Sequence, residues 1–337
     1  MQSDTVWDLE ITEQLIGGNR VKRCMNCMSE YNEQNSRCPR CGFSEEEMNG
    51  AQKLPEDILK PETVLQGRFV IGRPLSCSDY SFVYLAWDGV LRRCVAIREY
   101  FPGRLARRAG NEVVCRSGRE KNLFEAGKLD FESEAMKLHY NQDIKQIVNV
   151  YRVIKENNTI YTVMEYLTGI SLRDLMDMGF EQMGISEKNV LNEIFNTITA
   201  IHARGIGHYN LSPDNIYIDE TGIRLLDFGE AKYKMYQATG GRVIRYEEDY
   251  IAPEVLSGKE VRMNADLYSL GILEYELYTG KAIPYSNRPQ RRKKPLKTGN
   301  AEMEREINIL ADPDSKSRPV SLAEYLKTAG GRKQGRD

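Results

Sequence analysis

No stretch of the 337-residue sequence approaches the roughly 20 consecutive apolar residues that a bilayer-spanning helix requires, so no membrane span is expected. The first ten residues, MQSDTVWDLE, lack the basic and apolar pattern of a secretory signal, which leaves the cytoplasm as the expected compartment. Charge of one sign is also missing. A formal net charge of -2 excludes the strong electrostatic footprint of a dedicated nucleic-acid binder. The seven cysteines form no secretory disulfide framework: four are grouped (Cys24, Cys27, Cys38, Cys41) and three are scattered (Cys77, Cys94, Cys115). No internal repeat is visible. What is present, 41% hydrophobic and 28% charged residues, suits a large buried core, and the length suits one two-lobed domain plus a small module.

The grouped cysteines carry the first chemical signal. Cys24-Met-Asn-Cys27 and Cys38-Pro-Arg-Cys41-Gly42 are two C-x-x-C knuckles with ten residues between them. That spacing converges four thiolates on the tetrahedron zinc prefers. Gly42 suits the tight turn behind the second knuckle. Paired disulfides and a redox dithiol are the competing readings. The expected reducing compartment and the absence of a thioredoxin-like βαβ context weigh for zinc. With all four positions protein-ligated, the metal would be structural, holding together a module too small for its own core.

The rest divides by pattern into an N-terminal segment (1–22, with an amphipathic stretch from Trp7 to Ile16), the ribbon (23–45), a polar linker (46–62), a large domain (63–328) and a tail (329–337). Strand patterns at Arg68–Ile71, Ser81–Trp87, Arg93–Arg98, Val148–Lys155 and Thr159–Tyr166, with a helical pattern at Phe131–Tyr140, predict a five-stranded sheet carrying one helix. After Gly169 the periodicity is mostly helical, as at Val190–Arg204 and Ala265–Thr279, with brief strands at Ile216–Ile218 and Ile223–Leu226. The basic run Arg288–Lys297 reads first as a solvated loop and second as a docking patch.

Leu65 to Leu75, Tyr84-Leu-Ala-Trp-Asp88 and Val95-Ala-Ile-Arg-Glu-Tyr-Phe-Pro102, followed in order by the later landmarks below, resemble the bacterial eukaryotic-like serine/threonine protein kinases that carry a zinc ribbon. The resemblance covers about residues 63 to 328. It implies an α+β, bilobal protein kinase-like fold, with a β-rich N-lobe (63–165) and a mainly α C-lobe (166–328), preceded by the ribbon. It further implies ATP and magnesium as ligands, and a protein as substrate or partner.

Carried over position by position, Arg98 stands where a lysine holds the nucleotide phosphates, and Glu134 where that lysine's ion-pair partner is expected. The phosphate-covering loop, ordinarily L-G-x-G-x-x-G, reads Leu75-Ser76-Cys77-Ser78-Asp79-Tyr80-Ser81, so Ser76, Ser78 and Ser81 replace all three glycines and Asp79 adds negative charge. In Gly207-His-Tyr-Asn-Leu-Ser-Pro-Asp-Asn215, Asn210 replaces the catalytic aspartate, Ser212 the nearby lysine, and Tyr209 the arginine that binds a phosphorylated activation loop. His208 is expected as a core residue. Asp227-Phe228-Gly229 and Asn215 retain the magnesium positions. Ala96 and the backbone of Glu165 and Leu167, beside Met164, suit an adenine site. Ala252-Pro-Glu254, Asp266 and Arg318 are architectural, with Arg318 expected to pair with Glu254. The acidic Tyr246-Glu-Glu-Asp249 imitates a phosphorylated loop or is simply solvated charge.

Three functions follow. The substitutions point to a pseudokinase, regulatory or scaffolding, with weak or no ATP binding. The retained metal positions keep open an active or atypical Ser/Thr kinase. A third reading makes the ribbon a docking module for a partner protein, with the kinase fold as platform; the absence of basic residues interleaved with aromatics argues against nucleic acid.

Overall fold

The computed structural model describes residues 21–44, 55–244, 249–259, 261–283 and 295–328. The Trp7–Ile16 stretch, most of the linker, Tyr246 to Glu248, most of the basic run and the tail lie outside the described residues. The chain separates into a first unit of Met1–Val114 with Arg152–Tyr166, and a second of Cys115–Tyr151 with Leu167–Asp337.

In the first unit, strands β1 (Val21–Arg23) and β2 (Glu30–Asn32) form a small antiparallel hairpin around the first cysteine knuckle. After the linker come β3 (Val64–Leu65), β4 (Phe69–Cys77), β5 (Ser81–Asp88) and β6 (Arg93–Tyr100). A second hairpin, β7 (Ala106–Ala109) and β8 (Glu112–Cys115), follows. With β9 (Val150–Glu156) and β10 (Thr159–Glu165) the main sheet has six strands in the order β3-β4-β5-β6-β10-β9. The sixth strand, β3, is two residues long, too short to show an alternation. β4 also runs well past the expected Ile71, with register shifts between Ile71, Pro74 and Ser76. A proline cannot donate to the ladder, and the irregularity at Pro74 hides the strand's second half from a period-two reading.

The second unit opens with α1 (Lys121–His139), ten residues longer at its start than the expected helix from Phe131. Its N-terminus has no side-chain cap, which removes the usual start signal. Ser171 and Asp174 form a reciprocal capping box that starts α2 (Leu172–Met178), right after β11 (Ile170–Ser171). Then come α3 (Glu187–Ala203), β12 (Ile216–Asp219) and β13 (Gly222–Leu225), the strands pairing in the order β11-β12-β13. Helices α4 (Glu230–Thr239), α5 (Pro253–Leu256), α6 (Ala265–Thr279), α7 (Ala301–Leu310) and α8 (Leu322–Thr328) complete the unit. α6 is buried from Ala265 through Leu277, on every face, as a helix at the centre of a core must be. Among the described residues, no helix is long and apolar enough to cross a membrane.

Candidate functional site

The four cysteines converge. Their sulfurs all lie within 4.8 Å of one another, with Cys24 to Cys41 and Cys27 to Cys38 both at 3.7 Å. Zinc–sulfur bonds of about 2.3 Å in a tetrahedron place thiolates about 3.8 Å apart, so the donor set fits the metal. The Met28 amide donates to the Cys24 carbonyl at 2.7 Å and the Gly42 amide to the Cys38 carbonyl at 2.8 Å, closing both knuckles. The Asn26 side chain donates to Cys41 Sγ at 3.5 Å, an outer contact of the kind that orients a ligand. Burial pushes the Cys24 thiol up to about 12, so loading a cation there must displace a proton.

Two of the first unit's candidate positions, Ala96 and Arg98, share a face of its sheet with Cys94. Cys94, Ala96 and Arg98 alternate along β6 and therefore point the same way, with Leu85 and Met164 directly opposite Ala96, and Val83 and Thr162 opposite Arg98. Glu165 ends β10, while Leu167 begins the next segment of the second unit. Ser76 lies in β4, opposite Val83. The loop that follows is closed on itself. The Ser78 hydroxyl accepts from the Tyr80 amide at 3.2 Å and the Ser81 amide at 3.0 Å, and donates to the Ser81 carbonyl at 2.9 Å. Backbone amides that a glycine-rich loop aims at phosphate oxygens are thus satisfied internally. Arg98 Nε donates to the Ser81 hydroxyl at 3.3 Å. These contacts escape a sequence reading that treats the serines only as glycines lost; the tendency of Ser to bond nearby amides was the available signal.

In the second unit, Asp266 is fully buried and organises the segment from His208 to Asn210. Its Oδ2 accepts from the His208 amide and its Oδ1 from the Tyr209 amide, both at 2.7 Å, while His202 Nε2 lies 2.9 Å from Oδ2. Burial alone would raise this carboxyl, but the His202 contact and the amide bonds hold it below the ordinary range. His208 is completely buried, its ring 4.4 Å from that of Phe228, and burial lowers its pKa. Tyr209 and Asp227 both take positive φ, 57° and 52°, a cost that side chains other than glycine bear where surrounding structure demands it.

Asn210 is tied directly to Asp227. Its Nδ2 donates to Asp227 Oδ2 at 2.8 Å and to the Asp227 carbonyl at 3.1 Å. The Asn215 amide nitrogen is likewise spent on the Asn210 carbonyl at 2.8 Å, which leaves Asn215 Oδ1 as the atom for a cation. Asp227 and Asn215 offer the hard oxygen donors that magnesium takes, and when bound the ion would supply charge neutralisation to phosphate groups. Ser212 is buried and starts the short 3-10 turn Pro213–Asn215, where a hydroxyl supplies no positive charge.

The helix α4, directly after Gly229, has no counterpart in the sequence reading. It packs beside α1. Glu134 Oε2 accepts from the Ala231 amide at 2.9 Å, Lys234 pairs with Asp130 at 3.1 Å, and Lys137 pairs with Glu230. Glu134 thus works at the α4 N-terminus, where a carboxylate is favoured. The Glu230–Lys234 spacing, an i,i+4 pair at 3.1 Å, was a usable helix signal. Aromatic rings hold the other side. Tyr209 lies 6.2 Å from Tyr233, Tyr233 donates to the Lys259 carbonyl at 2.7 Å, and Tyr236 donates to the Leu256 carbonyl at 2.9 Å. Gly207 permits this, since a Cβ there would meet the Tyr209 ring at 2.3 Å. Arg318 binds Glu254, as expected of the late arginine, and donates to the Asn264 carbonyl at 2.7 Å.

Comparison with known proteins gives a consistent result. A family model described as the protein kinase domain matches residues 107–327. Serine/threonine-protein kinase PrkC of Bacillus subtilis is 31% identical over 223 residues, 66% of this chain and 32% of that protein. A probable serine/threonine-protein kinase of Clostridium acetobutylicum is 31% identical over 230 residues, covering 66% and 31% respectively. The chain spans about a third of the length of these curated relatives. Among solved structures, PpkA-294 aligns with a TM-score of 0.66 and 26% identity over 80% of this chain and 99% of its own. The PknI kinase domain of Mycobacterium tuberculosis, at 19% identity and a TM-score of 0.55 over 81% and 98%, shares the fold.

Proposed function

The chain belongs to the protein kinase domain family, and from that premise we propose that it is a regulatory or scaffolding member, a pseudokinase, in which phosphoryl transfer is impaired or lost. One observation carries this reading: the Asn210 amide sits where a proton-accepting carboxylate is needed, and it donates to the carboxylate that would hold magnesium. Ser212 withholds local positive charge, and Ser78 takes up the Tyr80 and Ser81 amides of the loop, so three separate parts of one reaction are weakened. The proposed division is a structural zinc ribbon over 23–45 and a kinase-like domain over 63–328. Four ligating thiolates need a reducing compartment, which supports a cytoplasmic setting. The working contact is with another protein.

Retained Asp227 and Asn215, and relatives named as serine/threonine kinases, favour a second reading: an ATP- and magnesium-dependent Ser/Thr kinase of low turnover. A thermal-shift titration separates the two. Binding selective for the native state raises the melting temperature as RT ln(1 + [L]/Kd), so a weak or absent shift at millimolar ATP with magnesium is expected. Metal-dependent incorporation of labelled phosphate that disappears in Asp227→Asn would establish the second reading instead.

A further inference from the structure

The ribbon's first knuckle is packed against the sheet of its own unit. Met25 and Met28, the latter 1% exposed, share a cluster with Leu85, Val70, Leu75, Trp87, Cys94 and Tyr166. Val70 is paired with Trp87, Trp87 with Cys94, and Leu85 with Ala96, so the side chains under the knuckle lie on the same sheet face as Ala96 and Arg98. The contact is built at backbone level as well. Arg73 donates its amide to the Met25 carbonyl at 2.8 Å and its Nε to the Asn26 carbonyl at 3.1 Å. Gly72 makes room: a Cβ there would stand 1.9 Å from Met28 Cε and 2.6 Å from the Met25 carbonyl oxygen. Arg23 stacks its guanidinium 3.9 Å above the Trp87 ring.

Met25 lies between two ligand cysteines, and Met28 follows the second of them directly. The metal that fixes Cys24 and Cys27 therefore also fixes both thioethers over the sheet. We propose that the ribbon is a metal-held cover on the ligand-facing side of this sheet, so that zinc occupancy decides whether the Val70–Leu85–Trp87–Cys94 face is closed or open. The inference rests on the structural zinc ribbon of the proposed function and adds what the ribbon does there. It is indifferent to whether the chain turns over ATP.

Three single cysteines supply a built-in assay: Cys94 beneath the knuckle, Cys77 exposed on the phosphate-loop strand of the same unit, and Cys115 in the second unit. Zinc content of the purified full chain is measured first, and alkylation by iodoacetamide is then followed peptide by peptide, with and without a chelator. In the zinc-loaded chain Cys94 should react far more slowly than Cys77. On zinc removal its rate should rise by about tenfold or more, as local opening of a docked element gives, with Cys115 unchanged. Gly72→Val should raise the Cys94 rate while zinc stays bound. Absence of zinc from the purified chain would overturn the ribbon reading and this one together. With zinc present, a Cys94 that reacts as fast as Cys77, or is unmoved by chelation, would overturn this one alone. Acceleration of Cys115 together with Cys94 would also overturn it, because the metal would then be holding the whole molecule and not a local cover.

Discussion

Replacing Asn210 by aspartate tests the site at its most informative contact. The amide nitrogen that now donates to Asp227 Oδ2 at 2.8 Å would become a carboxylate oxygen facing another. At an effective dielectric of about 20, two unit charges at that separation repel by about 6 kcal/mol. Protonating an ordinary aspartate at pH 7 costs about 4 kcal/mol, so the pair would take up a proton before bearing the full repulsion. Asp227 is half-buried, and solvent lowers the penalty further, to roughly 2–4 kcal/mol. At about 2 °C per kcal/mol for a chain of this size, Asn210→Asp should melt roughly 4–8 °C below the parent in chelator. Magnesium should then restore most of the loss, since a divalent cation between two carboxylates replaces the missing proton. Melting curves at pH 7 with chelator and with magnesium read both effects, the parent serving as the insensitive control. A variant as stable as its parent in chelator, or one blind to magnesium, would refute the contact.

Stability should fall as the solution is acidified from pH 7 toward 5. His208 is buried with its pKa lowered, so the unfolded chain takes the proton first; its contribution is complete above about 6.5 and is lost as the pH drops toward the folded value. Asp266 adds a second loss only below about 3.9, and urea midpoints along the pH series would show the two windows. Arg318→Ala, which strands the buried Glu254 carboxylate, should cost about 3–5 kcal/mol in the same measurement. Tyr209→Ala should cost about 2–3 kcal/mol, less than a fully buried ring, and should speed protease cleavage within 230–240.

Motif order made the fold legible, because each kinase landmark binds residue type to backbone position: the resemblance placed Asp266 and Glu254 with Arg318, while the four cysteines needed only their spacing to be read. The limits were local. β3 is too short to alternate, Pro74 interrupts β4, and α1 starts without a cap, so none of these announces itself by periodicity. Substitution logic read Asn210, Ser78 and Tyr209 as losses of charge or of glycine. Each is also a gain of contact, with Asp227, with the Tyr80 and Ser81 amides, and with Tyr233, and such partners are set by tertiary placement. Nothing in the spacing of Met25 and Met28 signals a partner; their packing on the sheet depends on Gly72, 44 residues from Met28 in the chain.

The segment after Gly229 is anchored by tyrosine rings and their hydroxyls. Ring packing and hydroxyl-to-carbonyl bonds of this kind form at folding, so α4 is held in place in the unmodified chain. Loosening α4 therefore means breaking ring packing together with the Tyr233 and Tyr236 hydrogen bonds, a cost written into the sequence itself.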